Sequence, residues 1–162
     1  MPHKITLERN TLRFAAAHFT TSGGECEPLH GHNYDVFIEI EGPLTSDSWV
    51  VDFSQAKAVT RAICKEVDHK FILQTASRDL EIAQNDGHFA ISHGRRRYVM
   101  PEEDVAPLPI DNSTAERLAE WFAGRLSVEL KTLGTANITR ITVGIEEMPG
   151  QVGWFTTSLS PH

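Results

Sequence analysis

A chain of 162 residues suits one domain with a sizeable core, and 40% hydrophobic with 23% charged residues is the balance of an ordinary globular protein. Twenty-two acidic residues against 15 basic ones give a net charge of -7, which excludes the basic footprint of non-specific nucleic-acid binding. A local basic pocket for an anionic small substrate stays compatible with it. No apolar run reaches the length of a membrane span, and Met1-Pro2-His3-Lys4-Ile5-Thr6 lacks the apolar stretch of a signal peptide. The two cysteines, Cys26 and Cys64, are too few for a disulfide framework and are expected as reduced thiols of a cytoplasmic protein.

In chain order, Lys4 to Phe19 alternates as one long strand. His32 to Leu44 alternates too, with Tyr34, Val36, Ile38 and Ile40 on one face and Phe37 breaking the pattern. A turn-rich segment, 42–48, follows. Asp52 with Gln55 three residues on starts a helix carrying Ala56, Val59, Ala62, Ile63 and Val67 at helical spacing. Residues 74–109 are the least regular, with a hairpin from Phe89 to Met100 around Gly94 whose tip, Arg95-Arg96-Arg97, reads most simply as solvated. Ser113-Thr114-Ala115-Glu116 reads as a capping box for a second helix with Leu118, Trp121, Phe122, Leu126 and Leu130, ending near Gly134. Ile138 to Ile145 and Gln151 to Ser158 are the last two strands. The order strand, strand, helix, inserted hairpin, helix, strand, strand predicts an α+β fold with an antiparallel sheet and both helices on one face. One domain spans 1–162, with 74–109 as an insertion between the helices.

The chemistry concentrates in the first fifth of the chain. His30 and His32 in Cys26-Glu27-Pro28-Leu29-His30-Gly31-His32 point to one face of a strand, and His18 ends a run expected to pair with it. Three imidazoles with an open position are the layout of a catalytic zinc site. Cys26 is expected beside it as a thiol whose pKa falls near a cation. In Val67-Asp68-His69-Lys70-Phe71 the Asp can orient the His as a proton shuttle; the plainer reading is a helix C-terminus with a favourable histidine. Glu147 lies in a turn, where a glutamate is usually solvated, and Cys64 reads as helix packing. No HExxH helix supports a protease.

These pieces, in this order, resemble the 6-pyruvoyl-tetrahydropterin synthase / 6-carboxy-tetrahydropterin synthase family. The matching residues are Phe14 to His18, Cys26-x-x-x-His30-Gly31-His32, Val51-Asp52-Phe53, Val67 to Phe71, Thr114-Ala115-Glu116, and Glu147 ahead of Gly153-Trp154-Phe155. The resemblance implies a tunnelling fold, a four-stranded antiparallel sheet with two helices on one face. It further implies association into trimers or hexamers as an oligomeric barrel, with active sites between subunits. It implies His18, His30 and His32 as Zn2+ ligands, Cys26 as the catalytic thiol, Asp68 and His69 as a catalytic dyad, Glu147 as the carboxylate that anchors the pterin, and Thr114 beside the ring. The leading expectation is a lyase turning 7,8-dihydroneopterin triphosphate into 6-carboxy-5,6,7,8-tetrahydropterin, acetaldehyde and triphosphate, a precursor step to queuosine. Glu27, directly after Cys26, matches the position where members that cleave dihydroneopterin to 6-hydroxymethyl-dihydropterin carry a glutamate, so that reaction is the alternative, beside pyruvoyl-tetrahydropterin synthesis. A pterin-binding zinc domain without turnover is the non-enzyme alternative.

Overall fold

Alternation in the thirteen-residue strand His30–Gly42 organises the molecule: Tyr34, Val36, Ile38 and Ile40 are buried on one face, and their neighbours stay partly open on the other. The computed structural model describes residues 1–8 and 12–159. The elements run β1 (His3–Leu7), β2 (Arg13–His18), β3 (Thr21–Ser22), β4 (Glu25–Cys26), β5 (His30–Gly42), α1 (Phe53–Val67), β6 (Lys70–Gln74), β7 (Glu81–Asn85), β8 (His88–His93), β9 (Arg96–Pro101), a 3-10 turn (Glu102–Asp104), β10 (Val105–Leu108), α2 (Ala115–Thr132), β11 (Arg140–Met148) and β12 (Gln151–Ser158).

The fold class is α+β with two helices, as expected, but the sheet is larger and mixed. Its order is β10-β6-β2-β5-β11-β12, with β1 also on β5, seven strands in place of the expected four. β6 pairs parallel with both β2 and β10, so the sheet is not purely antiparallel. The expected long N-terminal strand is two. Leu7 faces Ile38 and Arg13 faces Asp35, so the chain takes six steps where its partner takes three. Phe37, the apparent irregularity, belongs to the opposite face, where its ring lies 5.8 Å from that of Trp154.

Both helices pack into one core with the buried face of β2, β5 and β11. Phe14 stacks between Tyr34 at 4.7 Å and Phe122 at 5.5 Å. Asp52 caps α1 by accepting from Gln55 N at 2.9 Å. On that helix Thr60 is buried, satisfied through Ala56 O, whereas Ala62 is exposed. The cap of α2 is Thr114, which accepts from Arg117 N, and not Ser113. Ser113 is buried one step earlier, its hydroxyl donating to Phe19 O at 3.0 Å.

The irregular segment resolves into two parts. β10 joins the main sheet, while β7, β8 and β9 form a separate three-stranded sheet, one strand more than the expected hairpin. Phe89 and Ile91 of this small sheet build a second apolar cluster with Phe19, Cys26, Phe71, Leu73, Leu80 and Val105. Each such fully buried aliphatic or aromatic side chain contributes roughly 1.5–3 kcal/mol. The small sheet is therefore anchored on the main one rather than hanging from it.

Candidate active site

β2 and β5 pair so that His18 faces His30 and Ala16 faces His32. Because side chains alternate, His18, His30 and His32 share one face at the end of the helix-covered core. β11 delivers Glu147 to the same point. One donor atom from each of these four residues falls within 4.8 Å of all the others, and among the described residues no other such group of His, Cys, Asp and Glu occurs.

The hydrogen bonds fix which nitrogens point inward. His18 Nδ1 lies 2.9 Å from Ser113 O and His30 Nδ1 lies 2.8 Å from Pro28 O. A carbonyl only accepts, so each Nδ1 carries the proton and each Nε2 presents a lone pair. His18 Nε2 and His32 Nε2 are buried without a hydrogen-bond donor, yet sit 3.0 and 3.2 Å from the same oxygen, Glu147 Oε1. Acceptors crowded at contact distance repel unless a positive charge lies among them. Burial pushes the His32 pKa down, favouring the neutral imidazole there. Glu147 is the single carboxylate of the group. Three imidazole lone pairs and one carboxylate fit a divalent metal ion, and N3O donors suit zinc among the common ones.

A network missed by sequence reasoning holds His18. Ser113 N donates to Gln74 Oε1 and Asn112 Oδ1, each at 3.1 Å, and Asn112 bonds the Thr21 backbone through both ends of its amide. Gln74 and Ser113 are fully buried. Such outer contacts set tautomer and orientation of a ligand. Nothing in the local pattern marked them, because Gln74 and Ser113 meet only through tertiary pairing.

β4 ends at Cys26, and the chain leaves the strand at Glu27 with the two side chains parted. Cys26, 7% exposed, packs in the second apolar cluster, away from the position expected beside the histidines. Burial pushes its thiol pKa up, and the charges acting on it are those of Arg96, Glu27 and Asp79. Glu27 instead lines a cavity of about 360 Å³ with Thr20, His30, His32, Thr114, Ala115, Glu116, Glu147 and Met148. Hydrogen bonding from Thr20, with nearby His30 and His18, holds its carboxyl below the ordinary value. Thr114 reaches this cavity because it caps α2 at its edge.

Asp68 and His69 sit elsewhere. Asp68 Oδ1 accepts from Ala15 N at 2.8 Å and lies 3.0 Å from His69 Nδ1. That Ala15 N–H is the largest cause of the lowered Asp68 pKa. His69 is 82% exposed, holds a left-handed φ of 57°, and is pinned through its own N–H to Ala15 O at 2.6 Å. It lines a cavity of about 570 Å³ with Ala15, Ala17, Gly31 and Asn33. Ala15 and Ala17 lie on the face opposite His18, so the dyad and the cluster are not on one surface of this chain. His32 borders both cavities, while His30 and Glu147 line only the smaller one.

Comparison with known proteins gives this arrangement its class, that of the tetrahydropterin synthases, lyase-type enzymes that act on pterins. The chain belongs to the 6-pyruvoyl tetrahydropterin synthase family, whose sequence model matches residues 6–158. A Methanocaldococcus jannaschii protein provisionally named 6-carboxy-5,6,7,8-tetrahydropterin synthase is 38% identical over 141 residues, covering 86% of each chain. A dihydroneopterin monophosphate aldolase of Pyrococcus furiosus is 37% identical over 57 residues, 35% of this chain and 48% of its own. Among solved structures, a Plasmodium vivax 6-pyruvoyltetrahydropterin synthase superposes with a TM-score of 0.91 at 30% identity, covering 98% of this chain and 99% of that one; the solved form is a mutant with a catalytic glutamate changed to alanine. No helix among the described residues is long and apolar enough to cross a membrane.

Proposed function

We propose that the chain is a zinc-dependent lyase that cleaves the C1′–C2′ bond of a 7,8-dihydroneopterin side chain, with Glu27 as its acid–base group, giving 6-hydroxymethyl-dihydropterin. The observation that carries this reading is the opposite orientation of two neighbours: Glu27 lines the histidine cavity and Cys26 is packed among Phe19, Phe71 and Phe89. The catalytic glutamate of the Plasmodium vivax protein and the aldolase activity named for the Pyrococcus furiosus relative agree with it. His18, His30 and His32 would hold the zinc, which when bound polarises the side-chain hydroxyls as a Lewis acid. Glu27, ionised, takes the proton of the C2′ hydroxyl as the C1′–C2′ bond breaks. The electron pair left at C1′ delocalises into the ring C6=N5 bond, and Glu27 returns the proton to C1′. The released fragment is an aldehyde. Glu147 Oε1 takes both histidine contacts, which leaves Oε2 to accept from the N–H edge of the pterin, and Thr114 borders the ring.

The dyad fits this scheme through a second copy of the chain. Asp68 orients His69 so that Nδ1 donates and Nε2 faces outward, exposed and on the far side of the strand from its own cluster. We place it in the active site of a neighbouring subunit within a homo-oligomeric barrel of trimer or hexamer type, in keeping with the family resemblance.

A second reading is 6-carboxy-5,6,7,8-tetrahydropterin formation from the triphosphate through Cys26, favoured by the Methanocaldococcus jannaschii relative and its even coverage. It requires the thiol to leave its apolar cluster. Mass spectrometry of products from dihydroneopterin and from its triphosphate, with Glu27→Gln and Cys26→Ala, separates the two. Loss of hydroxymethyl product in Glu27→Gln, with metal content kept and Cys26→Ala active, is expected. Carboxy product that survives Glu27→Gln and vanishes in Cys26→Ala would reverse the assignment.

A further inference from the structure

The turn that presents Cys26 and Glu27 is short and has little to hold it. β3 and β4 pair only Thr21 with Cys26 and Ser22 with Glu25, around Gly23 and Gly24 at φ 59° and 80°. A two-stranded ribbon of this size is marginal by itself. Its orientation decides which of two adjacent side chains enters the histidine cavity, because a half-turn of the ribbon exchanges them.

The small inserted sheet supplies the missing restraint. Arg96, the first residue of β9, donates from one nitrogen, Nη1, to Cys26 O at 2.8 Å and to Glu27 O at 2.6 Å. His93, the last of β8, donates from Nε2 to Gly24 O at 2.9 Å at the tip of the same ribbon. These are charge-assisted or ring-donor bonds to three carbonyls of four consecutive residues, across some seventy residues of sequence. The base of the small sheet is itself immobilised by Phe89 and Ile91 in the second apolar cluster. Two carbonyls held by one guanidinium nitrogen tie down the peptide planes on both sides of Glu27, and with them the direction of its side chain.

We propose that the inserted sheet is a clamp on the catalytic ribbon and that Arg96 is a positioning residue that selects Glu27, over Cys26, as the group facing the histidine cluster. The proposal rests on the reading of Glu27 given above. Arg96 touches no substrate in this scheme; it acts through the main chain of residues 26 and 27.

The clamp can be scored without turnover. Cys26 and Cys64 are both buried, but only Cys26 lies under the clamp, and Cys64 sits in α1. Alkylation by a maleimide, followed by peptide mass spectrometry, reports each thiol separately. In Arg96→Ala, loss of two hydrogen bonds to a charged donor is expected to speed Cys26 labelling at least about tenfold, with Cys64 unchanged. Added guanidinium far below denaturing concentration should restore protection. On dihydroneopterin, kcat should fall about a hundredfold, as for a misplacement near 1 Å, with KM little changed. Unchanged Cys26 labelling would overturn the clamp. Equal exposure of Cys64 would also overturn it, since Arg96 would then support the whole fold. A wild-type protein without hydroxymethyl product removes the Glu27 reading but leaves the labelling result to decide whether Arg96 orients the ribbon.

Discussion

Changing Gly31 to alanine should weaken metal binding more than it weakens the fold. Gly31 lies between His30 and His32 in the chain and pairs with Ala17 across the strand pair, its own Cβ direction being the face opposite the histidines. A Cβ there would stand 2.9 Å from Ala16 O, a main-chain atom that cannot rotate away. Ordinary contact begins at 3.4 Å, so β2 and β5 must part by about half an ångström between His18 and its two partners. Overpacking of this kind costs about 1–3 kcal/mol, or roughly 3 °C of Tm per kcal/mol for a chain of this size. The ligands tolerate only about 0.5 Å of displacement before a site is loose, so zinc affinity should fall about 10–100-fold. Chelator competition gives the Kd, and thermal melting with and without metal gives the stability change. An unaltered Kd in a folded variant would refute the reasoning that this glycine sets the spacing of the cluster.

Stripping the metal should lower Tm by about 10 °C when it was held at a thousandfold excess over Kd, a linkage of roughly 4 kcal/mol; no change on adding a strong chelator would mean that the cluster holds no ion. In Gly153→Ala the new Cβ would meet Glu116 N at 2.5 Å. It should push the N-terminus of α2, with Thr114, off the cavity, costing about 1–3 kcal/mol and raising KM; denaturation and steady-state kinetics check the two effects. Asp68→Asn tests a pH linkage. The Asp68 carboxyl is lowered chiefly by the Ala15 N–H, so its stabilising effect is full above the unfolded value of about 3.9 and is lost as pH falls through the lower folded value. The Tm gap between wild type and variant should close on acidification below about pH 4, and a constant gap would contradict it. The same variant should lose about 10²–10⁴-fold in turnover at neutral pH if His69 shuttles protons.

Much of this was legible because local rules agree with the fold. Period-two alternation located β5 and β11, helical spacing located α1 and α2, and His30-x-His32 opposite His18 pointed to one face. What escaped was set by tertiary pairing. β6, Phe71-Ile72-Leu73 buried without alternation, does not announce itself as a parallel strand. Ser113 looked like the cap because Glu116 follows three residues on, yet burial drew its hydroxyl to Phe19 O and left the cap to Thr114. The sequence suggested Cys26 beside the cluster, whereas its side chain packs in the second apolar cluster, and the Arg96 that bonds its carbonyl lies seventy positions away. Arg96 itself read as a solvated hairpin tip.

His69 holds its left-handed φ of 57° through one backbone bond to Ala15. That conformation costs an L-residue roughly 1–2 kcal/mol and glycine almost nothing. An engineer seeking heat resistance would therefore choose this position early, and His69→Gly should raise Tm. The same exchange deletes the outward-facing imidazole, so the most accessible route to a sturdier protein runs through the residue proposed as its proton shuttle. Thermostable variants of this chain are better sought at other sites.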